Sequence, residues 1–236
     1  MKERPIIFSG EMVLAILAGQ KTQTRRVINL QPILATGVWG GQYLRGTRDS
    51  DQSSPYGRPG DCLWVKETFV IENTREYHGE HHVPADGRPI QKHEHDAGAD
   101  GPYWLIPHYR ATEPEPHIVP FDFPDSALEI DYNDDRTRWA PSIFMPRWAS
   151  RITLEVMGVR VERVQDISEE DAIREGITGP HMVGYPAYCF PGDSKPRYSR
   201  ASAAFEVLWD SLNAKRGFDF IWSTNPWVWV IEFAKV

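Results

Sequence analysis

Cysteine is scarce in this chain of 236 residues: only Cys62 and Cys189 occur. Two thiols do not make a disulfide framework, so both are read as reduced and Cys62 as core packing. A chain this long buries roughly 70–75% of its unfolded surface and needs no cross-links. An excess of positive charge is also missing. There are 26 Lys and Arg against 33 Asp and Glu, a net charge of −7 and a pI near 5.6. That excludes wholesale binding along a phosphate backbone, which needs a basic face, but leaves room for a local basic pocket. No apolar run approaches the roughly 18 residues that a membrane span requires. The opening "MKERPIIFSGEMVLAILAGQ" has the early charge and short apolar run of a secretory leader. Glu11 borders that run, however, and Pro5 and Gly10 interrupt what precedes it. An amphipathic helix in a cytoplasmic protein is the expectation. There is no CxxC pair, no internal repeat and no H-E-x-x-H. The histidines gather in "YHGEHH" (77–82) and "QKHEHD" (91–96) at spacings that match no metal motif, so neither a metal nor a cofactor is expected.

What is present is unevenly spread. Residues 1–48 hold Lys2, Arg4, Lys21, Arg25, Arg26, Arg45 and Arg48 against Glu3 and Glu11 alone, whereas 72–135 are rich in Asp and Glu. "RPIIF" (4–8) reads as a strand and Ser9 as the N-cap of a helix whose apolar face is Met12, Val13, Ile16 and Leu17. Gly19 stands where a left-handed C-cap belongs. "CLWVKETFVI" (62–71) reads as one strand, apolar except for Lys66 and Glu67, a pair that suits either a salt bridge or a polar cavity. Residues 72–140 lack a period and read as an insertion ordered in part by Tyr103, Trp104 and Tyr109. "SIFMPRWASRITLEVMGVRVERV" (142–164) returns to strand pattern. "DISEEDAIREGI" (166–177) is a helix capped by Ser168 and closed by Gly176. A second insertion spans 178–200. An amphipathic helix follows over 201–217, with Phe205, Leu208, Trp209 and Leu212 on one side, and "NPWVWVIEFAKV" (225–236) is the last strand. The class is α+β, a small mixed or antiparallel barrel with flanking helices. Of nine tryptophans, Trp64, Trp209, Trp227 and Trp229 suit packed positions, while Trp39, Trp104, Trp139 and Trp148 lie near loops.

Four segments, in order, carry a resemblance: "AGQKTQTRR" (18–26), "RPGDCLWVKETF" (58–69), "ISEEDAIREGI" (167–177) and "WVWVIEF" (227–233). Together they resemble the ASCH domain family of PUA-like fold, over about half the chain. "PSIFMPRWASRI" and the two loops are similar to the large phage and prophage members. The resemblance implies a single domain over 1–236, a small barrel with insertions at about 72–140 and 178–200. It also implies a nucleoside or RNA held in an internal cleft. Threonine at position 24 resembles the subgroup of N(4)-acetylcytidine amidohydrolases. That likeness implies Lys21, Thr24 and Glu175 as catalytic residues, with Arg26, Trp64, Glu67 and Arg147 on the substrate side.

The residue types suit such an amide hydrolysis. An acetyl-lysine would itself be a stable amide, so Lys21 serves better as a base, its pKa lowered by burial. It would take the proton of Thr24, whose ester water then cleaves, or Lys21 and Glu175 would activate water directly. Arg26 is a structural anchor or polarises the carbonyl oxygen. Strand alternation sets a condition, because residues 21, 23 and 25 face one way and 22, 24 and 26 the other. Lys21 therefore reaches Thr24 only from the turn after Gly19. The alternatives are an RNA- or nucleotide-binding module of phage origin without turnover, and a ribonuclease on the same fold. The acidic charge favours a small nucleoside over long RNA.

Overall fold

The computed structural model describes residues 1–28, 33–36, 42–45, 54–75, 88–93, 103–114, 139–180, 187–193 and 195–236, with backbone alone at 33–36, 42–45, 72–75, 92–93 and 103–104. The chain groups into two compact units. The first is Met1–Arg4, Leu14–Leu63 and Thr153–Val236; the second is Pro5–Val13 and Trp64–Ile152. The elements in order are β1 (Glu3–Ile7), α1 (Gly10–Leu17), β2 (Gln23–Val27), β3 (Ile33–Thr36), β4 (Gln42–Arg45), β5 (Cys62–Lys66), β6 (Phe69–Arg75), β7 (Gln91–His93), β8 (Tyr103–Tyr109), β9 (Thr153–Arg163), α2 (Glu169–Arg174), α3 (Ala201–Asn213) and β10 (Trp227–Lys235). Among the described residues, no helix is long and apolar enough to cross a membrane.

The largest sheet has five strands in the order β1-β5-β9-β10-β2, of which β9, β10 and β2 lie wholly in the first unit. β10 runs antiparallel to both neighbours: Trp229 pairs with Arg26 on β2 and Val161 on β9, and Val230 pairs with Arg25 and Arg160. Leu154 and Val156 are buried while Glu155 and Met157 are exposed, the period-two alternation read for this stretch. The sheet ends at β1 and β2, so the described strands form an α+β layer and not a closed barrel. One face is covered by α2 and α3. Ala172, Ala204, Phe205 and Trp209 pack there against Val27, Val228 and Val230. Leu212, expected on that apolar side, is instead 49% exposed in the last turn of α3. β3 and β4 pair antiparallel, Ile33 opposite Arg45.

Helix ends follow the sequence signals. The Ser9 carbonyl accepts from Val13 N at 2.9 Å and its hydroxyl from Met12 N at 3.5 Å. Gly19 has φ +72°. Gly19 N donates to Ile16 O at 3.0 Å and Gln20 N to Ala15 O at 2.9 Å, a Schellman closure that satisfies the last carbonyls. Ser168 Oγ accepts from Asp171 N at 3.1 Å, and Gly176 closes α2 with φ +102°.

The second unit carries the three-stranded sheet β6-β8-β7, with Phe69 opposite Tyr109. Part of the stretch read as an unpatterned insertion is therefore strand. Its core is Phe69, Tyr109, Met145 and Ala149. The single strand read over 62–71 is two, interrupted at Glu67 and Thr68. Residues 142–149 form two 3-10 turns rather than strand, since Pro141 and Pro146 supply no backbone N–H to a ladder. The histidines at 78, 81, 82 and 95, and Trp39, lie outside the described residues.

A Cβ at Gly19 would meet nothing within 4 Å, so Gly19→Ala carries only the left-handed backbone cost, about 1–2 kcal/mol. At Gly176 the same cost adds to a Cβ 3.2 Å from Pro191 Cγ and 3.4 Å from Ala15 Cβ. Urea unfolding should rank Gly176→Ala as the more destabilised variant. Equal midpoints would contradict this account of the two turns.

Candidate functional site

The Schellman turn at Gly19 delivers Lys21 to the helix-covered face of the sheet. Lys21 N itself donates to Ala15 O at 3.0 Å, and Thr22 N to Arg174 O at 2.9 Å. The first bond ties the turn to α1 and the second holds it against the end of α2. Lys21 Nζ is 2.7 Å from Glu175 Oε2, with Glu175 O at 2.7 Å and Gln23 O at 2.9 Å also accepting from it. The side chains are 0% and 4% exposed. Burial pulls the Lys21 pKa below its ordinary range; the Glu175 carboxylate opposes this, and the charges of Arg26 and Arg25 add to it.

The pair does not stand alone. Arg25 Nη1 donates to Glu175 Oε1 at 3.2 Å and to Gln23 Oε1 at 2.7 Å. Arg25 Nε reaches Glu162 Oε1 at 2.9 Å, and Nη2 reaches Asp171 Oδ2 at 2.9 Å. Arg160 bridges Glu162, Asp171 and Glu232. Lys21, Arg25 and Arg160 thus face Glu162, Asp171, Glu175 and Glu232 in one connected network. The ring of Phe205 lies 5.8 Å from the Arg25 guanidinium carbon and closes one side. Burial disfavours the Asp171 carboxylate, but the Arg25 hydrogen bond and charge, aided by Arg160, hold its pKa below the usual range.

Of the residues expected from sequence, Lys21 and Glu175 meet. Thr24 and Arg26 pair with Ile231 and Trp229, on the face opposite Gln23 and Arg25. Thr24 is buried. Burial lowers the Arg26 pKa, and Tyr56 and Glu175 oppose it. Trp64, Glu67 and Arg147 belong to the second unit. There the Arg147 guanidinium carbon lies 5.9 Å and Lys66 Nζ 5.4 Å from the Trp64 ring centre. Glu67 is held by two bonds from Arg151, both 3.0 Å. Burial raises its pKa against the pull of that arginine. The charged pair at 66–67 thus includes a salt bridge, one of the two readings the sequence allowed. Gln23, Arg25, Asp171, Glu162, Arg160 and Glu232 were missed. The 21-23-25 alternation pointed to the first two.

No protein-family model, curated protein or solved structure matches the chain. Among the described residues, no group of three or more His, Cys, Asp or Glu is arranged to hold a metal ion.

Two tests address the network. Arg25→Met leaves Glu162, Asp171 and Glu175 short of a buried cation and should cost about 3–5 kcal/mol in urea unfolding. A loss below 1 kcal/mol would mean that the network is solvated. The second test concerns pH. Because the Asp171 pKa is lower folded than unfolded, its contribution is present above the ordinary value of 3.8 and lost as pH falls through the folded value. Asp171→Asn should therefore flatten the acid limb of the stability curve, and an unchanged limb would refute this.

Proposed function

We propose that the protein is a hydrolase that removes the acetyl group from an N(4)-acetylcytidine-type pyrimidine nucleoside, on a PUA-like frame of ASCH type. The observation that carries this reading is the buried contact of Lys21 Nζ with Glu175 Oε2 at 2.7 Å. A lysine whose charge burial disfavours lies close enough to a carboxylate to exchange a proton with it. Transfer from the ammonium to the carboxylate yields a neutral amine beside a carboxylic acid. The amine then takes a proton from water as the water oxygen bonds to the acetyl carbon. The C–N bond breaks as the departing exocyclic nitrogen takes the proton of Glu175. Cytidine and acetic acid leave, and the ammonium and carboxylate are restored. The alternative through a Thr24 ester needs the Thr24 hydroxyl beside the Lys21 amine. The register of β2 turns Thr24 to the face opposite Arg25, which favours the water route.

A second reading is a nucleoside- or RNA-binding module without turnover. It is favoured by three acceptors around Lys21 Nζ among the described residues, which suit the N–H bonds of an ammonium. A lysine held so keeps its proton and serves as a fixed charge.

Incubation with N(4)-acetylcytidine, followed by chromatography for cytidine, separates the two. The hydrolase reading expects conversion that falls about 10²–10⁴-fold in Lys21→Ala and in Glu175→Gln, with both variants folded by circular dichroism. Absence of conversion by the folded wild type, with nucleoside still bound, would leave the second reading standing.

A further inference from the structure

The sheet face opposite α2 and α3 opens into a cavity of about 420 Å³. Its walls include Lys2, Arg4, Arg58, Asp61, Val159 and Trp229, all within the first unit. Trp229 is the register partner of Arg26, which places the cavity on the face that carries Thr24 and Arg26. Neither Lys21 nor Glu175 lines it.

Three cations meet one carboxylate here, in a chain whose net charge is −7. The carboxylate is already committed. Asp61 Oδ1 accepts from Lys2 N at 2.8 Å and Oδ2 from Arg58 N at 3.3 Å. The Lys2 backbone bond above all, then that of Arg58 and the charges of the amino terminus and Arg58, hold its pKa below the ordinary value against burial. Its work is to fix the wall. Gly57 sits in that wall at φ +93°, where a Cβ would fall 3.0 Å from Asp61 Oδ2. Gly57 N donates to Ser54 O and Gly60 N to Val156 O, which tie the loop down. The cationic heads of Lys2, Arg4 and Arg58 form no ion pair with any described residue. Arg4 Nε is buried without a hydrogen-bond partner among the described residues. A buried N–H donor left so calls for an acceptor. Arginine forks suit phosphate oxygens, and the cavity volume falls within the range of small-ligand sites. The indole of Trp229, half-buried in the wall, offers an apolar surface of the kind on which any nucleobase stacks.

We propose that this cavity binds a nucleoside monophosphate, the phosphate against Arg4, Arg58 and Lys2 and the base against Trp229. The cations outnumber the carboxylate, which suits a phosphomonoester dianion, and the pinned loop fixes the backbone of Arg58 while β1 carries Arg4. The site is separate from the Lys21–Glu175 pair and does not depend on the hydrolase reading.

Titration calorimetry with adenosine 5′-monophosphate, adenosine and inorganic phosphate tests it with a purine, outside the chemistry proposed for Lys21. The monophosphate should bind at least about tenfold tighter than either fragment, and more weakly as salt rises. Arg58→Gln changes an exposed side chain and should weaken the monophosphate about tenfold while leaving adenosine unaffected. Arg4→Gln should do the same; if it does not fold, Arg58→Gln alone carries the test. Equal affinity for adenosine and its monophosphate overturns the proposal. So does equal affinity for inorganic phosphate and the monophosphate, or wild-type affinity in Arg58→Gln.

Discussion

Glu175 is one carboxylate shared by two buried cations, Lys21 on one oxygen and Arg25 on the other. The arrangement of the first unit follows from this sharing. α2 must end where its last side chain reaches β2, so Gly176 turns the chain away at once. β2 must begin only after Lys21 has been delivered, which the closure at Gly19 accomplishes. Desolvating three charged side chains costs several kcal/mol each, and their mutual attraction offsets this only when the geometry is good. Apolar side chains of the same volume would hold β2 to α2 at least as well. What such a trio lacks is an exchangeable proton. Stability alone therefore does not account for the cluster; the proposed proton transfer would.

Consecutive arginines show how a strand divides its labour. Arg25 points under the helices into the ionic network, while Arg26 pairs across the sheet with Trp229 on the other face. A one-residue shift of register would exchange them. It would also bury Thr24 and Arg26 against Phe205 and move Gln23 and Arg25 toward the basic cavity. The contact of Gln23 with Asp171 and Glu232, each at 3.3 Å, adds a polar lock against that slip. The same register thus maintains two chemically opposite faces, one crowded with carboxylates and one in which cations predominate.

Local signals were legible in the sequence because their causes are local. Ser9, Gly19, Ser168 and Gly176 act within a few residues of themselves, and the alternation of 153–158 reports directly which face is covered. Partnerships across the fold were not. Glu162 is 137 residues from Arg25, and on its own strand it reads as part of a solvated face. Arg160 and Glu232 read in the same way. The pairing of Lys21 with Glu175 entered through a resemblance, since nothing in their own neighbourhoods marks them as partners. Glu67 was seen as anomalous but not as a break, because its partner Arg151 lies 84 residues on. The cavity was not legible as a site, although Arg58, Asp61 and Trp229 lie in two of the four quoted segments. Lys2 and Arg4, Arg58, and Trp229 come from three stretches that the sheet alone brings together.

The direction of the Lys21 shift joins stability to the proposed chemistry. With its pKa lower folded than unfolded, the unfolded chain binds more protons between the folded value and 10.5. Stability therefore rises with pH across that window. Loss of the Lys21 proton relieves the desolvation that burial imposes, so folding shifts the balance toward the neutral amine. The neutral amine is also the form that the hydrolysis requires as a base. Glu175 opposes this drive by stabilising the ammonium, and in the proposed route it is also the group that receives the proton. A lysine pulled toward neutrality by burial and toward charge by its partner responds to a small change in either influence. Entry of an apolar acetyl group beside it, further excluding water, would act in the direction of the amine.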